Sequence, residues 1–233
     1  MNYKIVSGST LKMIAIISMA IDHIAHFLLR NSDWFIMPLF TFHSFKFSWY
    51  LLFRAIGRLS FPIFAFLVVE GFLHTSDRWK YGKNLFIFAL LSEIPWALLH
   101  NGFHLIGHNV MFTLLLGFLG LCTIDYYQTD RKKMGIILLS MLCFAYIFRS
   151  DYNGLGFTFI ILLYVLRHNR IIQFLIGSSI LPMKLMASLS FIPINMYNGK
   201  RGFIKGNIAK YLFYAFYPLH LLSLYLLRNY FYY

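Results

Sequence analysis

Asp22 and His23 stand side by side within an apolar stretch, and His26 and Arg30 follow them at helical spacing. At about 100° per residue, Met19, Asp22, His23, His26 and Arg30 fall within an arc of roughly 100°. A second apolar stretch carries Arg54 and Arg58 one turn apart, then Glu70 and His74 one turn apart. Glu93 stands just before Pro95 in a third. Asn109, Thr113, Gly117 and Gly120 share one face of a fourth, and the last holds Tyr214, Tyr217, Pro218 and His220. An ionisable group in a membrane span costs several kcal/mol unless it is paired or faces a cavity. Each of these residues is therefore a candidate for function.

Adjacent Asp and His suit acyl transfer. A neutral imidazole takes a proton from an attacking amine or hydroxyl, or carries the acyl group itself. A nearby carboxylate fixes its tautomer, and Arg58 or a hydroxyl stabilises an oxyanion. Arg58 is the natural partner for Asp22, whereas Arg54 is expected to snorkel to the outer interface. Each assignment has a structural alternative. Asp–Arg pairs fix helix packing, and Gly117 and Gly120 suit a tight helix contact. Glu70–His74 reads equally as an inert boundary pair, and His220 as a ring satisfying the backbone. A metal held by Asp22, His23 and His26 would crowd a tetrahedral site on one helix. The chain shows no Ser nucleophile elbow, paired-carboxylate hydrolase pattern or Walker loop.

The elements that must position these groups are membrane helices. The 233 residues are 59% hydrophobic and only 12% charged, about half the charge of a soluble domain. Apolar runs occupy roughly Leu11 to Leu29, Trp49 to His74, Asn84 to Leu99, Asn109 to Tyr127, Met134 to Phe148, Gly154 to Leu166, Ile171 to Ile194 and Tyr211 to Leu227. The fold class expected is an all-α, polytopic transmembrane helix bundle with roughly eight or nine spans. It forms a single membrane domain over residues 1–233, with Leu11 to Leu29 a retained first span rather than a signal peptide. Pro62 is expected to kink the second run, and Pro182 to break the seventh into re-entrant pieces. Cys122 and Cys143 read as small buried hydrophobes.

The net charge of +13 comes from basic residues in short gaps between the runs, so it marks topology rather than nucleic-acid binding. Arg78, Lys80 and Lys83 fill one gap, and Arg131, Lys132 and Lys133 another; that places the N-terminus in the cytoplasm and residues 31–48 outside. Lys200, Arg201, Lys205 and Lys210 also want the cytoplasm, so the run before them must return to its side of origin. At 1.5 Å per residue, His23 lies roughly 18 Å in from the cytoplasmic end and Arg58 roughly 12 Å in from the outer end. Glu93, Asn109 and Thr113 reach similar depth and His220 lies near the middle, which points to one shared cavity.

Several blocks together resemble the TraX family. They are Met19-Ala20-Ile21-Asp22-His23-Ile24, Arg54 to Phe66, Glu70-Gly71-Phe72-Leu73-His74-Thr75, Ser92-Glu93-Ile94-Pro95-Trp96, Asn109 to Leu114, Tyr197-Asn198-Gly199-Lys200-Arg201-Gly202 and Phe213 to Leu221. The resemblance implies an inner-membrane acetyltransferase of conjugation, which acetylates the N-terminus of pilin from acetyl-CoA. It implies a bacterial cytoplasmic membrane, with membrane lipid, acetyl-CoA and pilin or another exported or envelope acceptor as partners. Carried onto this chain, it implies catalytic roles for His23, Asp22, Arg58 and His220. The acyl donor, acetyl-CoA, falls to Glu70, His74, Lys80, Lys83 and Arg131, and the acceptor to Glu93, Asn109, Thr113 and Tyr217. Two other functions stay open on the residues alone. A proton-coupled transporter also uses Asp, His and Arg at mid-membrane with a broken helix. A non-catalytic assembly factor would use the charged pairs only to lock its helices.

Overall fold

The computed structural model describes residues 4–43, 45–100, 102, 107–181 and 184–232. The chain is predominantly helical and divides into two compact units. The first comprises residues 1–63 and 185–233, the second residues 64–184.

In the first unit, α1 (Gly8–Ile24) runs without a break into a π-helical turn at Ala25–Leu29. Ser7 caps α1 by accepting from the Thr10 N–H at 3.2 Å. A short helix α2 (Asp33–Ile36) follows. An antiparallel hairpin of β1 (Phe40–Phe42) and β2 (Phe45–Phe47) comes next, with Phe40 opposite Phe47. No sequence signal announces this hairpin in the loop before Trp49. The second run is two helices rather than one kinked helix. Helix α3 (Trp49–Gly57) stops at Arg58, and α4 (Ser60–His74) begins two residues later. Proline sits well in a first helical turn and badly in an interior. Pro62 therefore lies in the opening turn of α4, and the break falls ahead of it. Ser60 Oγ closes the junction by donating to the Gly57 carbonyl at 2.8 Å.

Chain order in the second unit is α5 (Arg78–Leu99), α6 (Val110–Tyr126), α7 (Arg131–Phe148), α8 (Asn153–Val165) and α9 (Arg170–Ile180). Three of these start on a side-chain cap followed at once by arginine. Asp77, Asp130 and Asn169 accept from the N–H groups of Lys80, Lys133 and Ile172. The Asp77 cap makes α5 longer than the apolar run suggests, because Arg78 to Lys83 are helical too. Gly117 and Gly120 let α8 approach α6 closely. A Cβ on Gly117 would overlap Ile160, and one on Gly120 would lie 2.9 Å from Phe157. Cys122 is half-buried and Cys143 exposed, so the latter is not the interior hydrophobe expected.

Residues 171–194 do not form one rod. They divide into α9, α10 (Lys184–Leu189) and α11 (Phe191–Asn195), while Pro182, the expected breaking point, lies outside the described residues. The last helix, α12 (Gly206–Tyr232), keeps Pro218 inside it. In the first unit α12 runs parallel to α1. The Lys12 ammonium sits 5.1 Å from the Phe213 ring near one end, and His23 meets His220 further along.

Among the described residues, three segments are long and apolar enough to cross a membrane, by length and composition: Gly8–Leu29, Trp49–His74 and Arg78–Leu99. Other apolar helices, such as Val110–Tyr126 and Asn153–Val165, are shorter. Outward faces are apolar as well, with Ile136, Leu139 and Ile147 on α7 and Leu219 and Leu226 on α12 all exposed. Water-facing surfaces rarely carry contiguous apolar faces of this kind, whereas lipid-facing ones must. The chain is a helical membrane protein.

Candidate functional site

The first unit gathers polar side chains from α1, α3 and α12. His23 Nδ1 lies 2.7 Å from His220 Nε2. The two rings are nearly parallel, 11° apart, with centroids separated by 5.0 Å. On its other side His220 Nδ1 lies 2.9 Å from the carbonyl of Phe216, one turn back on α12. A carbonyl only accepts, so Nδ1 of His220 carries the hydrogen. With both rings neutral, Nε2 of His220 is then an acceptor, and Nδ1 of His23 must donate to it. The remaining lone pair of His23 therefore resides on Nε2. The backbone of α12 thus sets the tautomer of a ring on α1.

Aromatic rings pack around the pair. Phe216 stacks on His220 at 4.9 Å, and Phe27 meets His23 edge-on at 5.8 Å. Tyr217 is 5% exposed, and its ring centroid lies 6.4 Å from His23 and 5.4 Å from His220. Such packing restricts the rotamers of both imidazoles.

Asp22 faces α3. Arg54 Nη1 donates to Asp22 Oδ2 at 2.7 Å, with side chains 20% and 14% exposed. The sequence predicts that Arg54 snorkels away from the site; it is instead an ion-pair partner of Asp22. The reason is backbone proximity. Gly57 lies one turn beyond Arg54 on α3, and a Cβ there would overlap the Cβ and carboxylate of Asp22. Only glycine lets α3 come this near to α1. Arg58 follows in the terminal turn, where its N–H bonds the Ala55 carbonyl at 3.1 Å. His26 Nδ1 lies 3.4 Å from the Tyr50 hydroxyl. Three members of the stripe read from the sequence therefore face protein, Asp22 and His26 toward α3 and His23 toward α12, while Arg30 is exposed. The π-helical turn from Ala25 shifts everything beyond it from the ideal arc, a device that often accompanies functional sites.

The second unit holds the remaining sequence candidates. Glu93 Oε1 lies 2.6 Å from His108 Nδ1, and Glu93 Oε2 accepts from Asn109 Nδ2 at 2.6 Å. Asn109 also donates to the Ala89 carbonyl at 2.9 Å and caps α6 by accepting from the Met111 N–H at 3.0 Å. Its side-chain hydrogens are both used, and the residue is fully buried. The hydroxyl of Thr113 bonds Ser150 Oγ at 2.8 Å and the Asp151 carbonyl. Glu93, Asn109 and Thr113 thus tie α5, α6 and the start of α8 together. His108, stacked on Phe148 at 4.0 Å, escapes a reading of the sequence because it ends a gap rather than a run.

Glu70 and His74 pair within α4. His74 Nδ1 donates to the Glu70 carbonyl at 2.9 Å and lies 3.7 Å from Glu70 Oε2. Lys80, Lys83 and Arg131 are exposed near the starts of α5 and α7. Arg78 forms an ion pair with Asp125 and lies over the Phe72 ring at 4.3 Å.

Comparison with known proteins agrees with the sequence motifs. The family described as "TraX protein" matches residues 7–228. A curated relative from Dichelobacter nodosus, described as "Probable fimbrial assembly protein FimC, serogroup H1", is 28% identical over 248 aligned positions. Those positions cover 92% of this chain and 93% of the relative. No solved structure matches.

Proposed function

The chain belongs to the TraX family, and on that premise we propose that it is a membrane acyltransferase that acetylates an amine or hydroxyl on a component of a pilus-type fibre. The relative named for fimbrial assembly supports the biological setting. The observation that carries the chemistry is the His23–His220 contact at 2.7 Å, anchored on the Phe216 carbonyl. The reading places the chain in the bacterial inner membrane, with roughly eight or nine crossings and a cytoplasmic N-terminus.

Acetyl-CoA would supply the acyl group as a thioester. His23 Nε2 takes the proton of the acceptor amine or hydroxyl as that N or O bonds to the acyl carbon. His23 is then a cation, and His220 Nε2 accepts from its Nδ1–H throughout, which spreads the charge. As the carbon–sulfur bond breaks, Nε2 returns its proton to the departing sulfur. Arg58 is assigned to the developing negative charge on the carbonyl oxygen. Asp22, held by Arg54, adds a fixed negative charge on the same stretch of α1 that favours the imidazolium. Tyr217 lines the acceptor side.

The test is acetyl transfer from radiolabelled acetyl-CoA by the full-length protein in proteoliposomes, with purified pilin as acceptor. General-base catalysis by a positioned imidazole contributes about 10²–10⁴-fold. His23→Ala should lose at least about 100-fold while its membrane insertion and abundance persist. Undiminished transfer by that variant rejects the role of His23. A non-catalytic assembly protein would transfer no label in either form.

A further inference from the structure

The motif Tyr197-Asn198-Gly199-Lys200-Arg201-Gly202 has no part in the chemistry described so far. It is nevertheless fastened to the start of α1. Val6 and Tyr197 form a parallel bridge. The N–H groups of Gly8 and Ser9 donate to the carbonyls of Lys200 and Arg201 at 2.8 and 2.9 Å. Ser9 Oγ donates to the Arg201 carbonyl at 2.8 Å and accepts from the Ile204 N–H at 2.8 Å. Gly202 has φ +87°, and a Cβ on it would overlap Ser7 Oγ. The loop therefore uses the first N–H donors of α1 itself, so whatever binds here must do so through side chains.

The charged side chains here are all cationic. Lys12 is half-buried, and Arg201 and Lys210 come near enough to repel its charge. Lys200 and Lys205, in the segment between α11 and α12, are exposed. The ammonium groups of Lys12 and Lys210 meet aromatic rings, Phe213 at 5.1 Å and Tyr211 at 5.8 Å. Among the described residues Lys12, Arg201 and Lys210 have no carboxylate partner. Of the chain's eight acidic residues, only Asp22 and Asp33 belong to this unit. Asp22 is paired with Arg54, and Asp33 follows the opposite end of α1. Like charges held together without a counter-charge repel, and partial burial strengthens the repulsion. A bound polyanion removes that cost.

We infer that Lys12, Arg201 and Lys210 form a binding site for phosphate ester groups, and that its ligand is the nucleotide end of a CoA thioester. The CoA assignment rests on the acyl-transfer reading; the phosphate site does not. It moves the donor's phosphates away from Lys80, Lys83 and Arg131 and into the unit that holds His23. Ser9 to His23 is about 21 Å of helix at 1.5 Å per residue. A pantetheine arm, an extended chain of amides ending in the thiol, suits that gap. The parallel course of α12 supplies a second wall from Lys210 to His220.

The experiment uses the full-length protein in phosphatidylcholine nanodiscs, with CoA binding followed by calorimetry. Lys12→Gln/Lys210→Gln should weaken CoA binding at least tenfold, whereas Lys46→Gln on the hairpin should change it less than twofold. Arg201→Gln, on an exposed side chain, is the second variant should the double one misfold, and should also weaken binding. A parallel arm follows retention of phosphatidylglycerol through detergent exchange. Wild-type protein that binds no CoA, yet retains phosphatidylglycerol in a Lys12- and Lys210-dependent way, keeps the phosphate site and removes the acyl-donor reading. CoA and lipid binding both indifferent to Lys12, Lys210 and Arg201 overturns the inference. So does a loss of CoA affinity confined to Lys80→Gln/Lys83→Gln.

Discussion

Removing Arg54 should cost more than removing its partner. The Asp22–Arg54 pair is 2.7 Å long, mostly buried, and built on helices α1 and α3 within an apolar stretch. Breaking a buried pair from one side costs about 3–5 kcal/mol, because the remaining charge is stranded. The two sides differ in reach. Arginine has a long stem that can carry its charge to an interface, and aspartate does not. Arg54→Leu should therefore cost about 3 kcal/mol or more, and Asp22→Asn no more than about 2 kcal/mol. The double variant removes both charges of this pair and should return to within about 1 kcal/mol of wild type. With about 2–4 °C per kcal/mol for a chain of this length, Arg54→Leu should melt roughly 10 °C lower in detergent. Thermal unfolding of the four proteins in one detergent measures the coupling directly. A coupling below about 0.5 kcal/mol, with the double variant as unstable as the two single losses summed, would show that the pair is a surface contact and refute the argument.

Two further outcomes follow from close packing and capping. Gly57→Ala should place a methyl group into the Cβ of Asp22, costing about 1–3 kcal/mol and lowering acetyl transfer more than Leu59→Ala, as read by melting and the proteoliposome assay. Asn109→Ala should cost about 2 kcal/mol, because it removes the cap of α6 and leaves Glu93 without one of its donors. Hydrogen exchange in the first turn of α6 would report the loss, and unchanged protection there would contradict the cap.

Much of the site can be read from residue type alone, because an ionisable group in an apolar run is costly wherever the run folds. Asp22, His23 and His220 stand out for that reason, and the structure brings the last two into contact. That Arg54 meets Asp22 is not legible. Arg54 and Arg58 lie on one helical face, and the approach of α3 at Gly57 is what sets Arg54 against Asp22. His108 and Tyr50 carry no local signal, since one ends a loop and the other is one aromatic among sixteen tyrosines. The break at Arg58 is legible only as a kink. Proline marks where a helix is intolerant, but not which preceding residue yields.

What the amino-acid order determines by itself is the solvent and the family. Long apolar runs with basic gaps require lipid, and the ordered motifs from Asp22 to His220 identify a TraX protein. Both are properties of local composition and need no contact between distant residues. Tertiary structure decided the partnerships: which nitrogen of His23 holds the lone pair, that Arg54 meets Asp22, and where the loop at Lys200 and Arg201 is fastened. Each depends on two segments far apart in the chain arriving within about 3 Å, and helical periodicity gives the direction of a side chain without naming what stands opposite.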